Sequence, residues 1–164
     1  MSGSRRLVIV GGIALALWGM GYGLWYAIFA EHQALHAIGA SLAAAFDASA
    51  SRNPDYAGTA FHNYKEAKFI YDRHVDVHGH WIGLAMLLIV VGIAFDRVRF
   101  AERFKLMIAA ALVGGAVIFP FGVLLETFDR RAIPQGIAIL GSVLVIAAML
   151  GITLGLAARE SSEE

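Results

Sequence analysis

Hydrophobic residues in this chain are gathered into four long runs. A helix needs about 20 consecutive apolar residues to cross the hydrocarbon core of a bilayer. Four segments qualify: about 7–30, 76–96, 105–126 and 132–158. Pro120 predicts a kink in the third, and Pro134 lies in the first turn of the fourth, where proline is tolerated. The pattern predicts an all-α fold, a four-helix transmembrane bundle.

The segment between the first two runs, about 31–75, has a different pattern. Four apolar residues recur there at the spacing of one helical face: Leu35, Ile38, Leu42 and Phe46. They predict an amphipathic helix that lies along the membrane surface or caps the bundle, on its outer side. A turn is predicted at 51–55. The stretch 59–78 contains neither Gly nor Pro, so a second helix is expected to run directly into span two. We expect one integral membrane domain, 1–164.

Small residues mark faces on two spans where another helix can approach closely. They are Gly12, Ala16, Gly19 and Gly23 in span one, and Gly151 and Gly155 in span four. Besides contact with the lipid bilayer, these faces predict self-association or association with other membrane subunits. Four aromatic residues form a stripe in span one: Trp18, Tyr22, Trp25 and Phe29. This stripe either lines a binding site for a haem or quinone ring, or packs within the bundle and forms an aromatic belt at the membrane interface.

Composition supports the membrane class and narrows the chemistry. The chain is 59% hydrophobic and 16% charged, against about 45–50% and about 25% in soluble domains. Its formal net charge of zero gives no indication of nucleic-acid binding. The absence of cysteine excludes disulfides, iron–sulfur clusters and thiolate copper sites. A metal would therefore be bound by His, Asp, Glu or Met.

Basic residues in the short loops predict the orientation. The loop between spans two and three carries four of them, and the N-terminus carries two more: Arg97, Arg99, Arg103, Lys105, Arg5 and Arg6. We expect both termini to be cytoplasmic. The segment 31–75 would then lie outside, which is periplasmic for a bacterial inner membrane.

All six histidines fall between residues 32 and 80, on the predicted outer side: His32, His36, His62, His74, His78 and His80. Carboxylates lie at the same level, including Glu31, Asp76 and Glu126. No ionisable residue is expected deep within a span, which argues against a channel, a pump or a proton-coupled transporter. We expect the histidines and carboxylates to converge near the outer helix ends.

Spacing limits which of these side chains share a site. Three pairs are four residues apart and share a helical face: His32 with His36, His74 with His78, and Asp76 with His80. His78 and His80 are two apart, so on a regular helix they point about 200° away from each other. One is expected to point into the bundle while the other faces a second group or the surface.

Three kinds of centre fit these residues. A haem b would take one axial imidazole from His78 or His80 and the other from His32 or His36. A copper or zinc ion would use two or three histidines and a carboxylate, from the set His74, His78, His80, Asp76 and Glu126. A carboxylate-bridged di-metal centre is the least expected, because its Glu-x-x-His pattern is absent.

The entry to span two, HGHWIGLAM, resembles the haem-ligand helices in the catalytic subunits of haem–copper oxidases and nitric oxide reductases. This resemblance implies an imidazole-ligated haem. It covers only residues 78–95. Those subunits carry further histidines in later spans, and spans three and four here have none.

Four functions follow as hypotheses. The first is a small membrane protein with a metal or haem site, acting as a redox, electron-transfer or accessory subunit. The second is a non-catalytic structural or assembly protein that acts through helix packing. A pH-sensing histidine cluster is the third. The fourth is an acid–base enzyme for a lipid-soluble substrate, although no serine or cysteine nucleophile lies beside the histidines.

Overall fold

The computed structural model describes residues 2–158, which form five α-helices, one 3-10 turn and no strand. The helices are α1 (Gly3–Phe29), α2 (Glu31–Ala50), α3 (Pro54–Ala94), α4 (Glu102–Leu125) and α5 (Ala132–Ala157). All but α2 are long and apolar enough to cross a membrane. The predicted all-α, four-helix bundle is therefore confirmed, and its helices are those of a multi-pass membrane protein.

The longest helix, α3, continues from the second span far beyond the bundle. Its 41 residues make a rod of about 60 Å, twice the roughly 30 Å of a hydrocarbon core. The helix begins at Pro54, where the Asn53 side chain accepts a hydrogen bond from the Tyr56 backbone N–H. It passes Gly58 and Gly79 without a break. The prediction of a helix that runs directly into span two is confirmed.

Helix α2 packs against the first half of α3. The chain reverses at 51–53, where Arg52 has a positive φ of 54°, and small residues are buried between the two helices: Ala45, Ala48 and Ala60. The two form an antiparallel hairpin that extends beyond the spans. The predicted helix is present, but Leu35 and Phe46 of its predicted apolar face are exposed, because the close approach to α3 buries the small Ala45 and Ala48 instead. We call this side of the bundle the hairpin end and the opposite side the terminal end.

Glycines bring the spans into close contact. A Cβ atom added at Gly12 of α1 would lie 2.9 Å from the Leu88 Cβ and 3.0 Å from the Ala85 carbonyl oxygen of α3. Gly141 of α5 lies against the α4 backbone at Phe119, next to Pro120, through which α4 continues. Of the predicted glycine faces, that of span one contacts α3, and Gly151 of span four lies against Ile108 of α4, so both are used between helices of the same chain.

Polar contacts close the terminal end. Arg5 forms an ion pair with Asp96 at 2.8 Å, and the Ser2 hydroxyl donates to the same carboxylate at 2.6 Å. The backbone N–H of buried Ser4 donates to the Glu102 carboxylate at 3.0 Å. The starts of α1 and α4 are therefore joined to the end of α3.

Replacing Gly12 by Ala should destabilise the bundle, because the added methyl group would overlap Leu88 and the Ala85 carbonyl oxygen. We expect a loss of about 1–3 kcal/mol in the free energy of unfolding, measured by SDS titration of the protein in mild detergent. Gly21→Ala is the matched control in the same helix, since nothing lies within 4 Å of its added Cβ. Equal effects of the two substitutions would contradict the close packing of α1 on α3.

Candidate functional site

His78 lies in the interface between α3 and α1. Its Nδ1–H donates a hydrogen bond to the Gly19 carbonyl oxygen at 3.0 Å. The imidazole covers Gly23, where an added Cβ would lie 2.5 Å from the ring. Gly23 is seven residues before the uncharged run of span one ends at Ala30, or about 10 Å along the helix. His78 therefore lies deeper in the bundle than its place at the start of span two indicates.

His80 faces α4 on another side of α3. Its Nδ1–H donates to the Asp76 carbonyl oxygen at 2.6 Å, within the same helix. Its ring meets the Phe119 ring edge-on, with centroids 4.7 Å apart. Because α3 is regular through 78–80, the two histidines point to different sides, as their spacing predicts.

His74 is attached to α1 by aromatic side chains. Its Nδ1 and the Tyr22 Oη share a hydrogen bond of 2.5 Å. Its ring stacks on the Tyr26 ring, with centroids 4.7 Å apart and an interplanar angle of 19°. His74 and His78 therefore both contact α1, one turn apart along α3.

Arg73 joins the two carboxylates that the sequence analysis proposed as metal ligands. Its Nη1 lies 3.3 Å from an Asp76 oxygen. Its Nε lies 3.4 Å from a Glu126 oxygen, an ion-pair contact without hydrogen-bond geometry. The Glu126 side chain is only 17% exposed. We call Arg73, Asp76 and Glu126 the arginine clamp, and in it one cation of the chain itself contacts both acids.

A second arginine, Arg130, joins the loop between α4 and α5 to the part of α3 that extends beyond the spans. Arg130 donates two hydrogen bonds to Glu66, at 2.9 and 2.6 Å. The hydrogen bond to Glu66 raises the pKa of Arg130 above its ordinary value, so this side chain stays cationic. The guanidinium groups of Arg130 and Arg73 lie 4.1 and 5.1 Å from the centroid of the Phe69 ring. The α4–α5 pair is therefore held to α3 beyond the spans.

The proposed ligands do not converge on one point. His32 and His36 are exposed on α2, His74 and His78 lie on the α1 side of α3, and His80 lies on the α4 side. Within residues 2–158, no three His, Asp or Glu side chains form a group that could hold a metal ion. The physical reasons are the regular backbone of α3 and the ion pairs that Arg73 makes.

A groove runs along α3 beside His80. It has a volume of about 460 Å³ and is lined by residues of α3 alone: Val75, Asp76, Gly79, His80, Gly83 and Leu84. Gly79 and Gly83 are exposed, and nothing lies within 4 Å of a Cβ added at either. No neighbouring side chain therefore covers this surface of α3. It lies next to the His80 imidazole, whose Nδ1–H already donates a hydrogen bond.

Sequence reasoning overlooked Arg73 and Tyr26 as members of this region. Arg73 lies three residues before Asp76 and Tyr26 four residues after Tyr22. Both spacings place side chains on one helical face. These were the available signals, but neither spacing reveals the partner on a second helix.

Comparison with protein-family models, with curated proteins and with solved structures finds no match to this chain. Function is therefore inferred from the side chains and their geometry.

Replacing Arg73 by Gln should destabilise the bundle, because it leaves the mostly buried Glu126 carboxylate without its cation. We expect a loss of about 1–3 kcal/mol in the free energy of unfolding, measured by SDS titration. Lys68→Gln is the control: it breaks the exposed Lys68–Asp72 pair, which is worth about 0.3–0.5 kcal/mol.

The double variant Arg73→Gln/Glu126→Gln should recover part of that loss, because the mostly buried carboxylate is then neutral and only the half-exposed Asp76 carboxylate has lost its cation. A double variant less stable than Arg73→Gln would contradict the clamp.

Proposed function

We propose that this chain is a small integral membrane protein that binds a haem b through His80 and serves as an electron-transfer or accessory subunit. The observation that carries the proposal is the bond from the His80 Nδ1–H to the Asp76 carbonyl oxygen. Histidines that ligate metals nearly always donate their other ring N–H to a carbonyl or carboxylate, which fixes the tautomer and leaves Nε2 for the metal.

A haem fits these residues better than a copper or zinc ion does. An ion needs three or more protein ligands, and Arg73 already pairs with the two carboxylates that would complete such a set. A haem needs one or two imidazoles and an apolar surface open to a flat ring. Gly79 and Gly83 supply that surface beside His80. Bound haem would supply one-electron transfer.

His78 suits this role less well than His80. Its ring is enclosed between α1 and α3, directly over Gly23, where a planar macrocycle has no room. The groove beside His80 is formed by one helix only. A second copy of the chain, or another membrane subunit, would therefore cover the other face of the haem and supply any second axial ligand.

The test is the absorbance spectrum of protein purified in mild detergent from cells that make haem. We expect a Soret band that His80→Ala abolishes, because the axial nitrogen is lost. His62→Ala is the control, an exposed histidine on the projecting part of α3, and should keep the band. His78→Ala should lower stability and keep the band. Absence of a Soret band from the unaltered protein would refute haem binding.

The second candidate is a structural or assembly protein that acts through helix packing. One observation favours it: the imidazoles of His74 and His78 are both used to join α3 to α1. This candidate predicts no Soret band in any variant and a loss of stability for His78→Ala.

We also propose that both termini are cytoplasmic and that the membrane is a bacterial inner membrane. The terminal end carries basic residues in a short connection: Arg97, Arg99, Arg103 and Lys105. At the hairpin end, the connection between α4 and α5 carries only the basic residues Arg130 and Arg131, and the other basic residues are spread over the long segment between α1 and span two. The excess of positive charge therefore lies at the terminal end, which supports a cytoplasmic location for that end.

Because the chain has no cysteine, single introduced cysteines can report the orientation. A membrane-impermeant maleimide should label Gly58→Cys, near the hairpin turn, in intact spheroplasts. It should label Ala101→Cys, between α3 and α4, only after permeabilisation. Both residues are exposed, so accessibility within the fold is matched. The reverse labelling pattern would show that the orientation is inverted.

A further inference from the structure

A second pocket lies where α1 passes into α2, on the α1 side of α3. It has a volume of about 340 Å³, and three helices form it through Gly23, Tyr26, Ala27, Glu31, Tyr71, His74, Val75 and His78. Its lining runs from the level of Gly23 to Glu31, which follows the end of the uncharged run of α1. The pocket therefore reaches the level of the lipid head groups.

The lining carries one carboxylate and no basic side chain other than the two histidines. Within residues 2–158, Glu31 forms no ion pair and no side-chain hydrogen bond. The nearby cations on α3 are engaged elsewhere, Lys68 with Asp72 and Arg73 in the arginine clamp. The Glu31 charge is therefore available to a bound cation.

Aromatic rings stand beside this charge. The Tyr26 and Tyr71 rings are 6.3 Å apart between centroids and tilted by 47°. Tyr26 is only 7% exposed, and its buried hydroxyl has no hydrogen-bond partner in the described part of the chain. Because this hydroxyl oxygen is withdrawn from the pocket surface, it is the ring of Tyr26 that lines the pocket.

The hydrogen-bonding groups of the pocket are mainly acceptors. The Nδ1 proton of His78 is used by the Gly19 carbonyl oxygen, so in the neutral ring Nε2 carries a lone pair. The Glu31 carboxylate is a second acceptor. Acceptors, one negative charge and tyrosine faces are together the chemistry that recognises an ammonium group.

We propose that this pocket binds a primary ammonium group. Its N–H donors are matched by the Glu31 carboxylate and the His78 Nε2, and its charge is matched by Glu31 and by the faces of Tyr26 and Tyr71. The ammonium belongs either to an aminophospholipid head group, since the pocket reaches that level of the membrane, or to a free alkylamine. This site is separate from the groove beside His80 and does not depend on haem.

The experiment is native mass spectrometry of the full chain, delipidated in detergent and then offered phospholipids of identical acyl chains. Phosphatidylethanolamine should be retained about tenfold more strongly than phosphatidylcholine, whose quaternary ammonium has no N–H donor. Phosphatidylglycerol, which has no cation, should be retained least. Displacement of the bound lipid by butylammonium would assign the site to free amines as well, and its failure would assign the site to the lipid.

Two variants test the assignment to this pocket. Glu31→Gln should remove the preference for phosphatidylethanolamine, whereas Glu66→Gln, a carboxylate outside the pocket, should keep it. Tyr26→Phe keeps the aromatic ring and removes only a hydroxyl that lies outside the pocket surface, so it should leave retention unchanged. Circular dichroism would verify that each variant is folded. Equal retention of the three lipids, or a preference that survives Glu31→Gln, would overturn the proposal, and the Soret band should be unaffected in either case.

Discussion

The close packing of α1 on α3 is the constraint on which the rest of the structure depends. Gly12 meets Leu88, Gly19 meets Trp81, and Gly23 meets His78, all in one antiparallel register. In a membrane, helix association depends on van der Waals contact and interhelical hydrogen bonds, because lipid tails are as apolar as the side chains. Glycines let the two backbones approach, and the hydrogen bond from His78 to Gly19 adds a polar contact. This register determines which side chains meet at the hairpin end.

Charge balance explains why the polar residues at that end do not form a metal centre. A carboxylate that is mostly withdrawn from water needs a cation or hydrogen-bond donors nearby. Glu126 has Arg73, and Arg73 also pairs with Asp76. The arginine clamp therefore supplies the mostly buried Glu126 with a cation from the chain itself, and the half-exposed Asp76 is also in contact with water. What remains for an outside ligand is the set of groups that Arg73 does not reach: the Nε2 atoms of His78 and His80 and the Glu31 carboxylate.

The fold could be predicted from the sequence because its signals are local. Span length and the lack of helix breakers in 59–78 predicted the four spans and the continuous α3, and the spacing of His78 and His80 predicted their divergence. The packing of α2 was not predictable in the same way. Its large apolar residues suggested one buried face, but α3 covers Ala45 and Ala48 and leaves Leu35 and Phe46 exposed. This packing depends on α3 remaining helical for twice the membrane thickness.

Whether the candidate ligands converge could not be predicted from the sequence either. It depends on the rotation of one helix relative to another. Glu126 and Asp76 are 50 residues apart, and only the register of α3 against α4 reveals that Arg73 lies between them. The depth of His78 has a similar origin. The apolar run of span two begins after His78, but the imidazole of His78 packs against the glycine face of α1 inside the bundle.

The two proposed sites follow from one property of α3, its regularity through Gly79. Because the helix does not bend there, His78 contacts α1 and His80 contacts α4. No single ligand can therefore bind both. On the α1 side, three helices enclose a small pocket that suits a compact charged group. On the other side, one helix alone forms an open groove, which suits a flat molecule shared with a second subunit. The rigid helix α3 therefore separates the histidines of the two proposed sites while placing both sites at the hairpin end of the bundle.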